Sequence, residues 1–521
     1  MRSTFTGFNT VRSGLFAAQR ALDITGHNIS NVNTKGFSRQ RLNQVQSNPL
    51  RLFGGQGTLG TGVDTISITQ FRNEFLDFKY RSEVKTQGYW EAKRDGLKFI
   101  EAIFNEPSDS GITTVMDELF SSFQELSKNP ESQTTRALVR QRGITFTNTV
   151  NHMYSQLEKM ARDLNFDVET TVTSINAYAE QIALLNEQIH RLESDGSHAN
   201  DHRDQRNMLV DELSKLVNID MIEVQDPNDK SGNGKNNKMV LQINGQPLVY
   251  HNRVNKLDTS TSVASTFDNQ IHMKQVKWAN GDTIDTKALS GDLKGLLDLR
   301  DGLSAETKGV PYYIHQLNNF VNTFANEVNK IHASAYGLTG TNGVAFFTVQ
   351  GVATPALALP LDDTPDKLIY NPGNHGAYIP ELGNISAKNI KISLDIDADP
   401  NKIAASAEAN LLPGDGSRAL ALSQLRHDFA MFSEGKPEDF VKALISNLGV
   451  DTQEAIRMTD NQSFLVEQIN RQRESIAGVS LDEEMSNMVK FQHAYNASAR
   501  MVTTMDEMLD TVINKIGLVG R

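Results

Sequence analysis

Apolar residues recur every three or four positions at both ends of the chain, and the positions between them are mostly polar. This spacing places the apolar side chains on one narrow face of a helix, as in a coiled coil. The two ends are therefore predicted to form a terminal coiled-coil assembly module, with ordinary core helices at the edge of one domain as the alternative. The repeat runs through Phe8, Val11, Leu15, Ala18, Leu22, Ile29 and Val32, and through Leu481, Met485, Met488, Tyr495, Ala499, Val502, Leu509, Ile513 and Ile516.

Three polar residues interrupt these two stripes. Thr25 lies in the N-terminal stripe, and Gln492 and Asp506 lie in the C-terminal one. A polar residue in a coiled-coil seam can fix helix register at a cost in stability. We expect these positions to set the register or to face the interior of an assembly.

The charges of the two ends are opposite in sign. Residues 1–45 carry six basic residues and one acidic residue, a net charge of +5, whereas residues 481–521 carry six acidic and four basic residues, a net charge of −2. Opposite charges steer two surfaces together and disfavour pairing of like with like. The charge pattern therefore supports pairing of the two ends.

Longer stripes with helical spacing occupy the interior of the chain. The first, from Phe146 to Leu192, would form a helix of about 47 residues, roughly 70 Å long. A second stripe runs from Val310 to Ala335, a looser one from Phe440 to Glu474, and another helix is predicted from Phe71 to Phe104. The first two are natural antiparallel partners, so we predict an elongated helical bundle.

Two segments between these helices lose the helical spacing. In the first, Asn244-Gly245 separates two apolar runs, which is a strong signal for a β-hairpin. The second is rich in proline and glycine and is interpreted as mostly β-strand and loop. The predicted fold is mainly α with inserted β domains: a terminal coiled-coil domain (1–45 with 476–521), a helical rod domain (46–217 with 290–336 and 414–475), a small β domain (218–289) and a second β and loop domain (337–413).

Composition excludes several classes of function. A chain of 521 residues is too long for one core, and its net charge of −12 argues against a nucleic-acid partner. The chain has no cysteine, which excludes disulfides, zinc-thiolate sites and thiol catalysis. The N-terminal segment does not match a Sec signal, so export is expected to use another route. Pro355 and Pro360 interrupt the most apolar window, so no membrane insertion is expected.

Three segments resemble cofactor or metal-binding motifs, but the sequence around each of them argues against such a site. Gly55-Gln-Gly57-Thr-Leu-Gly60 matches a dinucleotide fingerprint, but a strand rather than a helix is predicted to follow it. Asp226-Pro-Asn228-Asp-Lys230 lacks the glycine and the final glutamate of a calcium loop. The acidic and histidine residues from His190 to Asp204 are interpreted as a polar turn between helices rather than a metal site. We therefore predict no enzyme activity, no metal site and no cofactor.

Several stretches resemble the flagellar rod, hook and hook-associated axial proteins. They are the segment Asn28-Ile-Ser-Asn31-Val-Asn33-Thr-Lys-Gly36-Phe37-Ser38-Arg39-Gln40, the segment Asp201-His-Arg203-Asp204, the segment Gly291-Asp-Leu-Lys-Gly295-Leu-Leu-Asp298-Leu-Arg300-Asp301, and the closing helix from Ser480 to Arg500. Lys35 stands where the family often has proline, and Phe37 where tyrosine is frequent. Both changes leave the end of the first helix and its aromatic residue intact.

The resemblance implies a structural subunit of the hook–filament junction, located extracellularly in the bacterial flagellum and required for filament assembly. It implies export by the flagellar type III apparatus with the ends unfolded and a ring of identical subunits. The implied partners are the hook protein below, hook-associated protein 3 above, and an export chaperone before secretion. The residues expected at the assembly interface are Phe8, Val11, Leu15, Leu22, Asn28, Asn31, Asn33, Gly36, Phe37, Met485, Met488, Tyr495, Val502, Leu509, Ile513 and Ile516.

Two other hypotheses remain open from the sequence. A secreted coiled-coil adhesin or effector would use the β insertions to bind a ligand, and deletion of residues 1–40 would then leave binding unaffected. An enzyme carried on the rod would need a buried pocket of histidine and aspartate within residues 337–420.

Overall fold

The computed structural model of the chain describes residues 6–51, 57–104, 111–194, 196–225, 237–342, 344–349, 385–511 and 513. Helices account for 63% of it, and the described strands form small sheets of two or four strands. The predicted class, mainly α with inserted β elements, is confirmed. The helices are α1 (Thr6–Ser30), α2 (Glu74–Phe104), α3 (Ile112–Lys128), α4 (Gln133–Glu193), α5 (Asn200–Leu216), α6 (Asp292–Asp301), α7 (Val310–Ala333), α8 (Leu394–Ala398), α9 (Ser417–Gln424), α10 (Pro437–Ala477) and α11 (Leu481–Asp510).

The strands lie in three separate parts of the chain. Antiparallel pairing is observed throughout the described strands. The strands are β1 (Gln40–Gln46), β2 (Leu50–Arg51), β3 (Thr58–Leu59), β4 (Val63–Gln70), β5 (Asp220–Gln225), β6 (Asn237–Ile243), β7 (Gln246–Tyr250), β8 (Arg253–Val254), β9 (Leu257–Asp258), β10 (Ser262–Ala264), β11 (His272–Lys274), β12 (Lys277–Trp278), β13 (Phe347–Val349) and β14 (Ile390–Ile392).

The helix α4 runs through most of the fold. Its 61 residues correspond to a length of roughly 92 Å at about 1.5 Å per residue. The Ser132 side chain accepts a hydrogen bond from the Thr135 amide and so caps the first turn. The predicted stripe from Phe146 to Leu192 is confirmed as helix, and the helix begins 13 residues earlier.

An aromatic core joins α4 to α3 and α7. The rings of Phe146 and Phe324 lie 4.9 Å apart, and those of Phe120 and Phe324 lie 5.8 Å apart. Because each of these rings is almost fully buried, they contribute much of the apolar area that holds the rod together. The predicted contact between α4 and α7 is present.

The helix α10 packs chiefly along α2 in the antiparallel direction. Near the middle of the pair, Gln87 Nε2 donates to Ser463 Oγ at 3.2 Å. Near the end, Arg473 Nε lies 2.9 Å from Asp77 Oδ1. The sequence predicted α10 as a helix but did not indicate which helix it packs against.

Glycines allow close contact between α2 and α6. A Cβ atom on Gly295 would lie 2.8 Å from the Tyr89 carbonyl oxygen, and one on Gly96 would lie 2.4 Å from Leu299 Cδ1. Backbone and side chain therefore occupy the space that a larger residue would need.

The predicted β-hairpin at Asn244-Gly245 is confirmed. Both residues have positive φ, 51° and 82°, as the tight turn between β6 and β7 requires. The sheet order is β5-β6-β7-β8. Strands β7 and β8 pack against α4. The Asn176 side chain of α4 also holds β9, since it donates to the Leu257 carbonyl and accepts from its amide.

Gly55, Gln56 and most of the calcium-like segment 226–237 lie outside the described residues. The segment 337–413 lies partly outside them. Its described part pairs β13 with β14 and adds α8, whose first turn is capped by Ser393. The prediction of mostly strand and loop therefore missed a short helix, which a serine and two early aspartates favour. Among the described helices, none is both long and apolar enough to cross a membrane.

Candidate assembly interface

The terminal helices α1 and α11 pack as an antiparallel pair. Gly7 lies against the Met505 side chain, Gly14 against Ser498, and the Asn28 side chain reaches Glu484. Moving along α1 by seven or fourteen residues moves the contact back along α11 by the same number. This constant register over three heptads is that of a two-helix coiled coil.

The seam of α11 includes three residues that the sequence prediction omitted, Phe491, Ser498 and Met505. Half-buried positions fall at Met488, Phe491, Tyr495, Ser498, Val502, Met505 and Leu509. Phe491 and Met505 therefore occupy the places that the prediction gave to Gln492 and Asp506, which are exposed and do not interrupt the seam. The spacing of these seven residues, 3 and 4 in alternation, was available in the sequence as the signal.

The predicted interface residues on α11 divide into two groups. Met488, Tyr495, Val502 and Leu509 face α1, whereas Met485 and Ile513 are 58% and 65% exposed. Ile516 lies outside the described residues. A helix of 3.6 residues per turn cannot keep all of these residues on one face, because a stripe that includes Met485 and Ile513 is wider than one seam.

On α1, Phe8, Val11, Leu15 and Leu22 are half-buried. The buried positions are Ala18, which the stripe includes, and Ala17, Ala21, Ile24, Thr25 and Asn28. The small side chains are needed because α1 contacts α11 and also β1 and β4. Thr25 is a buried residue and does not face solvent.

The pair leaves a large apolar surface uncovered. A single subunit rarely leaves so many large apolar side chains exposed on one helix unless they are part of an interface. The exposed residues are Phe16 on α1 and Leu481, Met485, Val489, Met501 and Met508 on α11, with Ile513 just beyond it.

Asn28 joins the end of α1 to β1 and α11. Its amide nitrogen donates to the Gln40 carbonyl at 2.9 Å, and its amide oxygen accepts from the Gln40 amide at 3.0 Å. The amide nitrogen also lies 3.2 Å from Glu484 Oε2. Asn28 thus satisfies the free backbone edge of β1 in the way a neighbouring strand would.

The rest of the asparagine-rich turn is more exposed. Asn31 donates to the His27 carbonyl at 3.0 Å and so caps the end of α1, while Asn33 is exposed. Gly36 has φ of 81°, which an L-residue rarely adopts, and Phe37 packs edge-on against His27. These contacts turn the chain from α1 towards the rod.

Charged side chains connect this turn to α11 and to α5. Arg39 pairs with both Glu483 and Glu484 at 2.7 Å. Asp204 accepts from the Ser38 amide at 2.8 Å and from its hydroxyl at 2.7 Å. Burial raises the pKa of the Asp204 carboxyl, and the Ser38 hydrogen bonds and Arg72 oppose that rise.

The network continues into α2 and α10. Arg72 bridges Asp204 and Asp77, and Asp77 also contacts Arg473. Arg473 in turn pairs with Asp211 at 2.7 Å, and Asp211 pairs with Arg81 at 2.7 Å. Because most of these groups are largely buried, the network fixes the orientation of the terminal pair relative to the rod.

The predicted polar turn from His190 to Asp204 is partly wrong, because α5 begins at Asn200 and places Asp204 on a helix. Asp201 accepts from Gln40 at 2.6 Å and lies 3.3 Å from His27. Within the described parts of the chain, no three potential metal ligands come together. The carboxylates of Asp201 and Asp204 bind side chains and backbone of the turn after α1.

Comparison with known proteins gives consistent matches. Residues 97–347 match the model of the flagellar hook-associated protein FlgK helical domain, residues 8–37 that of the flagella basal body rod protein, and residues 472–515 that of the flagellar basal body rod FlgEFG protein C-terminal region. Flagellar hook-associated protein 1 of Bacillus subtilis is 32% identical over 539 residues, covering 100% of both chains. The Escherichia coli protein of the same name is 25% identical, covering 97% of this chain and 99% of its own.

A solved structure has a similar fold. The flagellar hook junction protein FlgK from Burkholderia pseudomallei superposes with a TM-score of 0.59 at 17% sequence identity. The match covers 77% of this chain and 100% of that one.

Proposed function

This chain belongs to the flagellar hook-associated protein 1 family, a family of structural flagellar proteins rather than enzymes, and we propose that it forms the hook–filament junction on which the filament assembles. The observation that carries the proposal is the terminal pair α1–α11, which is well formed but covered on one side only. Such a surface suits a subunit that is completed by its neighbours.

The proposed contacts follow from the two groups of terminal residues. Seam residues such as Leu15 and Tyr495 hold the pair together within a subunit, and exposed residues such as Met485 and Ile513 contact neighbouring subunits. Burial of each large apolar side chain would contribute about 2 kcal/mol. Summed over a ring of identical subunits, this supports self-association without a catalytic or ligand site.

The proposed arrangement assigns a layer to each predicted domain. Residues 1–45 with 476–521 form the inner tube, the helical rod forms the next layer, and residues 218–289 and 337–413 face outward. The proposed partners are identical subunits in a ring, the hook protein below and hook-associated protein 3 above.

The proposed route to this extracellular site is the flagellar type III apparatus, with an export chaperone bound beforehand. Single helices are marginally stable in water, so α1 and α11 can be unfolded during export, before they pair within the subunit and assembly buries their exposed faces. The chain lacks cysteine, which suits passage between compartments of different redox state.

A deletion strain tests the function. Without this protein, cells should make hooks that carry no filaments in electron micrographs, and the wild-type gene should restore filaments. Met501→Asp, which places a charge on the exposed face of α11, should not restore them. The control Val263→Asp changes an equally exposed residue on β10 and should restore filaments. Filaments on hooks of the deletion strain would exclude the proposal.

A further inference from the structure

The ribbon formed by β1 and β4 presents its polar face to the protein. Arg20 of α1 contacts the Thr65 hydroxyl, and Asn43 donates to Ser67 Oγ at 3.1 Å and to Thr69 Oγ1 at 3.0 Å. Because side chains alternate along a strand, the residues between these positions point away from α1. The face that points to solvent is therefore the opposite one.

That opposite face is apolar. Ile66 and Ile68 are 64% and 38% exposed, and Val45 is exposed as well. Leu42 lies opposite Ile68 in the register of the two strands. We call Leu42, Ile66 and Ile68 the outer face of the ribbon; Val45 lies beyond the β-bulge between Asn43 and Gln44, where it pairs with Asp64. In a ribbon that packs on one side only, the usual arrangement is the reverse, with apolar residues inside.

The register that produces this inversion is fixed by side chains. Asn28 holds both backbone groups of Gln40 at one end of β1, and Asn200 Nδ2 donates to the Ile68 carbonyl at 3.0 Å. A slip of one residue would turn the isoleucines inward, and these hydrogen bonds oppose it. The outward position of the isoleucines is thus specified by the fold.

We propose that the outer face of the ribbon docks on a second copy of this chain, a contact that rests on the proposed function. The ribbon contacts α1 through Ser13 and Arg20, whereas α11 lies against the face of α1 that carries Gly7 and Gly14, so the two pack on different faces of α1. The ribbon and α11 each present exposed apolar side chains. A unit with two different uncovered faces suits head-to-tail association, in which each copy covers its neighbour.

The exposed charges of α1 and the ribbon are also opposite in net sign to those of α11. The exposed charged residues of α1 and the ribbon carry a net charge of +1, and those of α11 carry a net charge of −3. The first set is Arg12, Arg20, Asp23, Arg41 and Asp64, and the second is Asp482, Glu483, Lys490, Arg500, Asp506, Glu507 and Asp510. A net basic surface and a net acidic surface on one unit attract each other when copies associate head to tail, whereas like surfaces repel. This favours a second copy of the chain over an unrelated partner.

The natural lack of cysteine allows a direct test. The variant Ile66→Cys carries the only thiol of the chain, and a maleimide photocrosslinker attached there reports what covers the ribbon in isolated hook–filament structures. We expect an adduct of about twice the 57.8 kDa chain mass that contains peptides of this chain alone. The matched control is Ile222→Cys, a 44% exposed isoleucine on β5, which should give at least tenfold less of this adduct.

Two results would overturn the proposal: an adduct between the labelled Ile66→Cys variant and a different flagellar protein, or incorporated variant that gives no self-adduct. Ile66→Ser provides a second measurement. Its incorporation should fall at least tenfold relative to Ile222→Ser, with the unfolding temperature of the free chain unchanged, and equal incorporation of the two variants would contradict the proposal. If the wild-type chain were missing from hook–filament structures, the proposed function itself would fail, which separates the two cases.

Discussion

Asp204 on α5 accepts two hydrogen bonds from Ser38, one from the backbone amide at 2.8 Å and one from the hydroxyl at 2.7 Å. The two residues are 166 positions apart, and their contact joins the turn after α1 to the rod. Arg72 lies 3.2 Å from the same carboxylate and completes its environment.

The first prediction concerns this carboxylate. Asp204→Asn removes one of the acceptor oxygens and leaves the Arg72 charge without one of its partners, so we expect the free energy of unfolding to fall by about 3 kcal/mol. Chemical denaturation measures the loss. Asp163→Asn, at an exposed site on α4, serves as the control and should change stability by less than about 0.5 kcal/mol. Equal stability of the two variants would mean that the buried network does not stabilise the contact between the turn after α1 and the rod.

The second prediction concerns Asn28. Asn28→Asp keeps an acceptor for the Gln40 amide but removes the donor to its carbonyl and places a carboxylate beside Glu484. We expect a loss of about 2 kcal/mol and faster proteolysis of α1 and α11 than of the rod. Limited proteolysis followed by mass spectrometry measures both rates. Asn33→Asp introduces the same charge at an exposed position in the same turn and should leave the rates unchanged.

The third prediction concerns His332, which is 0% exposed. Its Nε2 accepts from the Ala404 amide, so the proton is on Nδ1, which donates to the Val344 carbonyl at 2.7 Å. Burial lowers the pKa of His332 from 6.5 to about 4. The unfolded chain therefore binds a proton first as the pH falls, and the folded state loses stability between pH 6.5 and about 4, by about 3 kcal/mol in total.

Unfolding free energies measured from about pH 7.5 to about pH 5 test this dependence. In His332→Gln, the fall in stability below pH 6.5 should be smaller than in the wild-type chain, whatever the stability at neutral pH. His152→Gln, at an exposed site on α4, should retain the wild-type slope. The same slope in all three proteins would show that His332 is not the group responsible.

The fourth prediction concerns the contact between α2 and α6. Gly295→Ala places a methyl group 2.8 Å from the Tyr89 carbonyl oxygen, so the helices must separate and stability should fall by about 1–3 kcal/mol. Gly449→Ala in α10 is the matched control, because nothing lies within 4 Å of the added methyl group. The control should raise stability by up to about 1 kcal/mol, since alanine favours a helix. Thermal unfolding measures the change in stability of each variant. If both variants were less stable than the wild-type chain, the packing explanation would be refuted.

Much of the helical architecture could be predicted from local spacing. The stripes ending at Leu192 and Ala335 gave α4 and α7, and Asn244-Gly245 gave the hairpin, because periodicity and turn chemistry depend on near neighbours in the chain. Helix α4 was predicted too short at its start, where Arg136 is buried although it is charged. Its guanidinium donates to the Pro130 and Ile403 carbonyls. No local sequence pattern predicts these partners.

The candidate interface was predicted less completely. The sequence identified the ends of the chain and seam residues such as Leu15 and Tyr495, but it placed Gln492 and Asp506 on a seam that runs through Phe491 and Met505. A repeat of 3 and 4 allows neighbouring choices of register, and only the position of the partner helix selects one of them. The network from Arg39 to Arg81 was missed entirely, since its members come from separate elements.

The sequence by itself determined the longest helices, the hairpin, the turn after α1 and the family, because each depends on spacing or on residues that are adjacent in the chain. Tertiary structure alone decided which face of α11 meets α1, which face of the ribbon is left open to solvent and which carboxylates are buried. These outcomes depend on contacts between distant segments, such as Ser38 with Asp204. The free energy of such contacts comes from desolvation and geometry that exist only once both segments are in place.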